Sequence, residues 1–219
     1  MQTLASLQAA AEIVYAVMPP TPQYHWPRLS ARVGVEVWLK HENHTPCGAF
    51  KVRGGLVYVH ELLKREPDIN GLIAATRGNA GQSVAFAGRR NDLPVTVVVP
   101  YGNSIDKNAA IRSLDAEVIE HGEDLEAAIA HATTLSLARG LHMVQLFHAD
   151  LVRGVASYAL ELLQNAPPLD AVYVPIGKGS GICGMVAARN ALGLHTQVVG
   201  VVASGADTYA RSFASGRVV

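Results

Sequence analysis

The chain has little of what marks several functional classes. Only two cysteines, Cys47 and Cys183, occur among 219 residues. They lie far apart and in no C-x-x-C or ligand-like spacing, which argues against a disulfide framework and for reduced thiols in a cytoplasmic setting. An excess of one charge is missing too. Lys+Arg and Asp+Glu both number 18 and no basic block occurs, so neither nucleic acid nor an anionic membrane is an expected partner. No lysine or arginine precedes an apolar run at the N-terminus, and no apolar stretch reaches bilayer length, so neither a signal peptide nor a membrane span is expected. What remains is an ordinary globular composition, 49% hydrophobic, with enough residues for one large domain or two small ones. A small molecule is the expected partner.

Helical spacing runs from Leu4 to Val17 and stops at Pro19-Pro20-Thr21-Pro22, where proline removes donors and disfavours helix. An extended arm is expected next. A strand is then expected over Val35–Leu39, leading into a polar loop at 41–48. After it, short Val/Ile-rich runs at Gly71–Ala75, Val95–Val99, Glu117–Ile119, Val172–Ile176 and Val198–Val202 alternate with helical patterns at Asn79–Arg90, Asp106–Leu114, Leu125–Arg139 and Val152–Leu163. This βαβ rhythm predicts an α/β fold of open, mostly parallel sheets, with ligands bound beyond the carboxyl ends of the strands. Asn165–Pro168 only punctuates the chain, and no linker, low-complexity segment or internal repeat stands out.

Three loops carry candidate chemistry. In Gly48-Ala49-Phe50-Lys51-Val52-Arg53-Gly54-Gly55 a lysine opens a helical pattern behind Phe50. Burial and the positive helix end would both disfavour its ammonium form and favour a nucleophilic amine, although most lysines at such places are solvated surface residues. In Gly177-Lys178-Gly179-Ser180-Gly181 a strand, glycines and a helix form an anion cradle, with Ser180 as a hydroxyl donor and Lys178 either adding charge or pointing outward. A tight βα turn without ligand is the plainer alternative. In Thr76-Arg77-Gly78-Asn79-Ala80-Gly81 Asn79 would be a helix N-cap or a ligand contact.

Other chemistries find less support. Gly179 to Gly184 fits G-x-G-x-x-G, but the next strand ends Val201-Val202-Ala203-Ser204, without the acid that would hold a ribose. Lys178 is followed by Gly179 rather than the Ser or Thr of a Walker loop. His41-Glu42-Asn43-His44 has histidines three apart in a loop, not four apart on a helix as a zincin requires. No G-x-S-x-G elbow occurs, so an α/β-hydrolase has no footing.

Lys40-x-Glu42, followed by Pro46-x-Gly48-Ala49-Phe50-Lys51-x-Arg53-Gly54, resembles the lysine motif of the fold-type II pyridoxal-phosphate enzymes, especially the threonine and serine dehydratases of the tryptophan synthase β-like superfamily. Gly78-Asn79-x-Gly81-Gln82, Lys107-x-x-x-x-Arg112 with Ala116-Glu117-Val118, and the loop Gly177–Gly181 follow in the same order, so the likeness covers essentially the whole chain. It implies that Lys51 carries pyridoxal 5'-phosphate as a Schiff base and then acts as the base at the substrate Cα, the cofactor spreading the charge. It implies also that Phe50 packs by the cofactor, that Asn79 meets the pyridine 3'-oxygen, and that Gly177, Lys178, Gly179, Ser180 and Gly181 hold the phosphate. Thr76, Arg77, Gly78, Asn79 and Ala80 would face the substrate carboxylate. The implied reaction is β-elimination of L-threonine or L-serine to a 2-oxo acid and ammonia, in a cytoplasmic dimer or tetramer. The implied domains are a larger one from residues 1–47 and 148–219 and a smaller one from 48–147, with the cofactor between them.

Departures from the family pattern qualify this. The commonest family loop reads Ser-Ser-Gly-Asn-His, where this chain has Thr76 to Ala80. Serine racemases place a hydroxyl where Arg77 stands, so racemisation is not implied, whereas an arginine there either faces solvent or suits a substrate with an additional acid such as 3-hydroxyaspartate. Some dehydratases bind a divalent cation through a glutamate where this chain has Val201 and Val202, so no metal is expected. β-Replacing synthases of the cysteine synthase kind carry an acid or amide where Val52 stands, and threonine synthase-like chemistry would need phosphohomoserine. The family's catalytic domain continues past a segment like Gly205–Arg217, so the group facing the pyridine nitrogen and the last strands of the larger domain are expected to be missing. A non-catalytic cofactor-binding remnant is the alternative from another class.

Overall fold

The computed structural model describes residues 2–219. Three sheets, nine α-helices and two short 3₁₀ helices are formed among them. The chain opens with α1 (Leu4–Tyr15), whose Thr3 side chain accepts from Ser6 N as the helix cap. After the prolines comes β1 (Gln23–His25), paired antiparallel with β2 (Trp38–Lys40). The expected strand at Val35–Leu39 is therefore displaced toward the C-terminus. The expected extended arm contains a helix, α2 (Pro27–Val33), bounded by Pro27 in its first turn and by left-handed Gly34 after its end, as proline's fixed φ and glycine's freedom allow.

α3 (Lys51–Arg65) begins at the candidate lysine. Then β3 (Leu72–Ala75), α4 (Asn79–Arg89), β4 (Val95–Val99), α5 (Ile105–Arg112), β5 (Glu117–Glu120), α6 (Leu125–Arg139) and β6 (His142–Met143) build a four-stranded, wholly parallel sheet in the order β5-β4-β3-β6. The chain steps outward from β3 to β5 and returns through α6 to pair β6 with the free side of β3, so the direction reverses beside β3. In such sheets the crevice beyond the strand ends at the reversal is where ligands sit. Strands β3 and β4 are buried on both faces. Leu72, Ala74, Val95, Val97 and Val99 pack with α3 and α4, while Ile73, Ala75 and Val98 pack with Ala128 and Ala132 of α6. That two-sided burial explains their unbroken apolar sequence.

α7 (Ala149–Asn165), β7 (Ala171–Pro175), α8 (Ser180–Ala191) and β8 (Gln197–Val201) follow, with β7 and β8 parallel, and α9 (Thr208–Ser215) comes last. A second core gathers Leu7, Val155, Ala159, Leu162, Val174 and Met185. The two cores meet where α3 crosses α7 in backbone contact. A Cβ on Gly154 would fall 2.3 Å from the Arg53 carbonyl oxygen, and one on Gly54 would fall 2.9 Å from that of Leu151. No other residue type permits so close a crossing. Among the described residues no helix is long and apolar enough to cross a membrane.

Candidate active site

The first turn of α3 is pinned from two sides. Gly154 lets α7 approach it, and the Ser83 hydroxyl of α4 donates to the Lys51 carbonyl oxygen at 2.6 Å. The Lys51 side chain therefore leaves α3 at a fixed height and enters a cavity. Ala74, Ala75, Thr76 and Ala80, at and after the end of β3, line that cavity with Val144, Gln145 and Leu146 after β6, Leu151 and Val155 of α7, and Ser180 of α8. These walls are the crevice at the sheet reversal. Lys51 Nζ lies 5.0 Å from the centre of the Phe50 ring, and a Cβ on Gly177 would fall 3.8 Å from it. Among the described residues Lys51 forms no ion pair. Burial pushes its pKa below the usual lysine range, which favours the neutral, nucleophilic amine.

The glycine segment faces that amine. Gly177 and Lys178 are exposed, whereas Gly179, Ser180 and Gly181 are buried. Gly179 caps α8 in the left-handed region, at φ +98°, and α8 then begins at Ser180 with its N-terminal end toward the cavity. The third loop lies across the cavity. Thr76 is buried and its hydroxyl accepts from Gly78 N at 3.2 Å. Arg77 and Asn79 are exposed. The expected cap is corrected: Gly78, not Asn79, precedes the first turn of α4, its carbonyl accepting from Gly81 N at 2.8 Å. Asn79 is the first helical residue and its amide is left free of capping. The Lys107 ammonium lies 3.4 Å from where a Gly78 Cβ would be. Of the candidate residues, Lys51, Thr76, Ala80 and Ser180 line one cavity, Phe50 and Gly177 lie beside the Lys51 amine, and Arg77, Asn79 and Lys178 are exposed on the loops that adjoin it in sequence.

Beneath this crevice lies a charge network that the loops did not announce. The Arg53 guanidinium is fully buried. It donates to Glu42 Oε2 at 2.8 Å and Oε1 at 2.9 Å, to Glu161 Oε1 at 2.5 Å and Oε2 at 3.1 Å, and to Ser157 Oγ at 3.0 Å. Lys40 Nζ meets Glu161 Oε2 at 2.5 Å, and Tyr15 Oη donates to Glu161 Oε1 at 3.0 Å. Two cations and two carboxylates so tie β2, the turn before Lys51, α3 and α7 into one electroneutral block. Glu161, Ser157 and Tyr15 were not singled out from sequence. The available signal was an acid inside the apolar stripe of α7. Burial pushes the Glu161 carboxyl up, but the hydrogen bonds and charges of Arg53 and Lys40 outweigh it and hold the group below the usual carboxylate range.

The sign of this shift sets a pH dependence. A depressed carboxylate contributes stability that is complete above its unfolded pKa, about 4.3, and is lost as pH falls through the lower folded value. Urea midpoints measured from pH 7 downward should hold until about pH 5 and then decline, and Glu161→Gln should flatten part of the decline. A wild-type midpoint that is level through this range would contradict the assignment.

The comparisons with known proteins agree with this geometry. Threonine dehydratase of Nicotiana attenuata is 31% identical over 97% of this chain and 35% of its own length. L-threonine ammonia-lyase of Geobacter sulfurreducens is 33% identical over 91% of this chain and 50% of its own. The chain thus spans between a third and a half of the length of these relatives. Among solved structures, processed threonine deaminase isoform 2 of Solanum lycopersicum superposes with a TM-score of 0.86 at 28% identity, covering 100% of this chain and 65% of that one. The residues at the crevice fit a pyridoxal phosphate: a half-buried amine without an anion faces a glycine segment whose missing side chains leave it room. The sequence model described as pyridoxal-phosphate dependent enzyme matches residues 15–219, and the chain belongs to that family, with pyridoxal 5'-phosphate as its cofactor.

Proposed function

We propose that this chain carries the catalytic crevice of an ammonia-lyase that removes water and then ammonia from L-threonine or L-serine. The observation that carries the reading is the Lys51 amine, half-buried, unpaired among the described residues and opposed to the glycine segment at the sheet reversal. The threonine dehydratases among its relatives support it.

When bound, the cofactor supplies an electron sink for charge developing at the substrate Cα. Lys51 Nζ holds the cofactor and takes the Cα proton, a role that its lowered pKa suits. Phe50 packs at the cofactor's side. Gly177, Lys178, Gly179, Ser180 and Gly181 hold the phosphate through backbone N–H groups, the Ser180 hydroxyl and the N-terminal end of α8. Asn79, free of capping, takes the pyridine 3'-oxygen. Thr76, Arg77, Gly78 and Ala80, with Asn79, receive the substrate carboxylate at the N-terminal end of α4. The Cα–H and Cβ–O bonds break and one water leaves. Hydrolysis then returns one water and yields a 2-oxo acid and ammonia.

A substrate with a second carboxylate is favoured by one further observation. Arg77 is exposed and unpaired among the described residues, and the Lys107 ammonium lies over Gly78. Both cations adjoin Gly78, in the segment proposed to receive the substrate carboxylate. The test is 2-oxo acid release from threonine, serine and 3-hydroxyaspartate by the cofactor-loaded chain. Release from threonine or serine is expected, and faster turnover of 3-hydroxyaspartate would select the acidic substrate. Cofactor bound without 2-oxo acid from any of the three would overturn the lyase reading and leave a binding remnant.

A further inference from the structure

Tyr158 stands on α7 beside the crevice and takes no part in the chemistry above. It is 7% exposed. Its ring packs on Phe50, with centroids 5.7 Å apart, and its hydroxyl donates to the Gly181 carbonyl oxygen at 3.4 Å. Among the described residues this is the only side-chain hydrogen bond to any residue from Gly177 to Gly184. The same turn of α8 is wedged at two other points. A Cβ on Gly181 would fall 3.1 Å from Phe50 Cζ, and one on Gly184 would fall 3.0 Å from Ala156 N. Phe50 immediately precedes Lys51. The Phe50–Tyr158 pair therefore packs between the lysine's segment and the glycine segment, and among the described residues the phenol supplies the single side-chain hydrogen bond to the latter. Burial pushes the phenol well above its usual range, so it remains an O–H donor.

We propose that Tyr158 is a positioning residue for the cofactor's phosphate: its hydroxyl, on Gly181, fixes the first turn of α8 and with it the backbone N–H groups of the glycine segment. The inference rests on the proposed phosphate role of residues 177–181. Phenylalanine at 158 keeps the packing and loses only the tie.

The test is a titration of the full chain and of Tyr158→Phe with pyridoxal phosphate and, separately, with pyridoxal, which keeps the aldehyde and lacks the phosphate. Absorbance reports binding of each. Tyr158→Phe should weaken pyridoxal phosphate about 2- to 10-fold, the factor carried by one net hydrogen bond, and leave pyridoxal unchanged. Tyr158→Met, which keeps bulk without ring or hydroxyl, should weaken the phosphate form at least as much. Unchanged affinity for pyridoxal phosphate, or equal weakening of both compounds, would overturn the positioning role. A wild-type chain that binds pyridoxal but gains nothing from the phosphate would overturn the phosphate role of the glycine segment, and this inference with it. Thermal unfolding of each variant separates loss of fold from loss of the tie.

Discussion

Replacing Lys51 by alanine is expected to abolish cofactor capture and turnover together while leaving the fold at least as stable. The chain has five lysines, and the structure distinguishes them. Lys40 is locked to Glu161, while Lys64, Lys107 and Lys178 are exposed. Only Lys51 is withdrawn from solvent without an anion, half-buried at the cavity, where desolvation drives it toward the free amine. Borohydride reduction of the cofactor-loaded chain followed by peptide mapping should place the adduct on Lys51, and Lys51→Ala should show none. Loss of the base alone removes about 10²- to 10⁴-fold in rate, and loss of covalent attachment adds to it, so 2-oxo acid release should fall below detection. An ammonium held in an apolar wall is a cost to folding, so the melting temperature of Lys51→Ala should be unchanged or higher. Full activity in the variant, or an adduct confined to other lysines, would refute the assignment.

Much of this arrangement was legible in the sequence because it is written in local signals. The strands β4, β5, β7 and β8 follow from β-branched runs and β3 from a short apolar one, and α6 from an alanine- and leucine-rich run between Asp124 and Gly140, its cap and its stop. The Phe50–Lys51 and Gly177–Gly181 loops showed themselves by glycines at strand-to-helix junctions. What was not legible depends on partners distant in the chain. β6 has two residues, too few for any pattern, yet its pairing beside β3 creates the reversal at which the crevice forms. α2 has no buried residue, hence no apolar stripe, and only Pro27 and Gly34 mark its ends. Gly78 rather than Asn79 caps α4 because a cap is decided by which carbonyl accepts the first helical bond, not by residue type. Glu161 and Ser157 meet Arg53 from 108 and 104 residues away, a juxtaposition that no local period encodes.

Removing the Arg53 guanidinium, as in Arg53→Met, is expected to have the largest effect on stability of any single substitution in the network. Its loss would leave Glu161 buried with Lys40 alone and the half-buried Glu42 without its cation, and breaking a buried pair in this way costs about 3–5 kcal/mol. For a domain of this size that corresponds to a fall in melting temperature of about 6–20 °C. The network is not thereby a net source of stability, because desolvation of its charges opposes their attraction. Arg53→Leu combined with Glu161→Leu should therefore cost less than the two single changes added together, the difference being their coupling. Additive losses would show that the pair does not act as a unit. The effect should reach the crevice as well. Glu42 lies in the turn before Lys51 and Arg53 two residues after it, so the network grips the lysine's segment from both sides. In variants still folded at the assay temperature, pyridoxal and pyridoxal phosphate should both bind more weakly, since it is the amine that moves. Tyr158→Phe should weaken the phosphate form alone, so the two titrations separate a displaced amine from a displaced phosphate cradle.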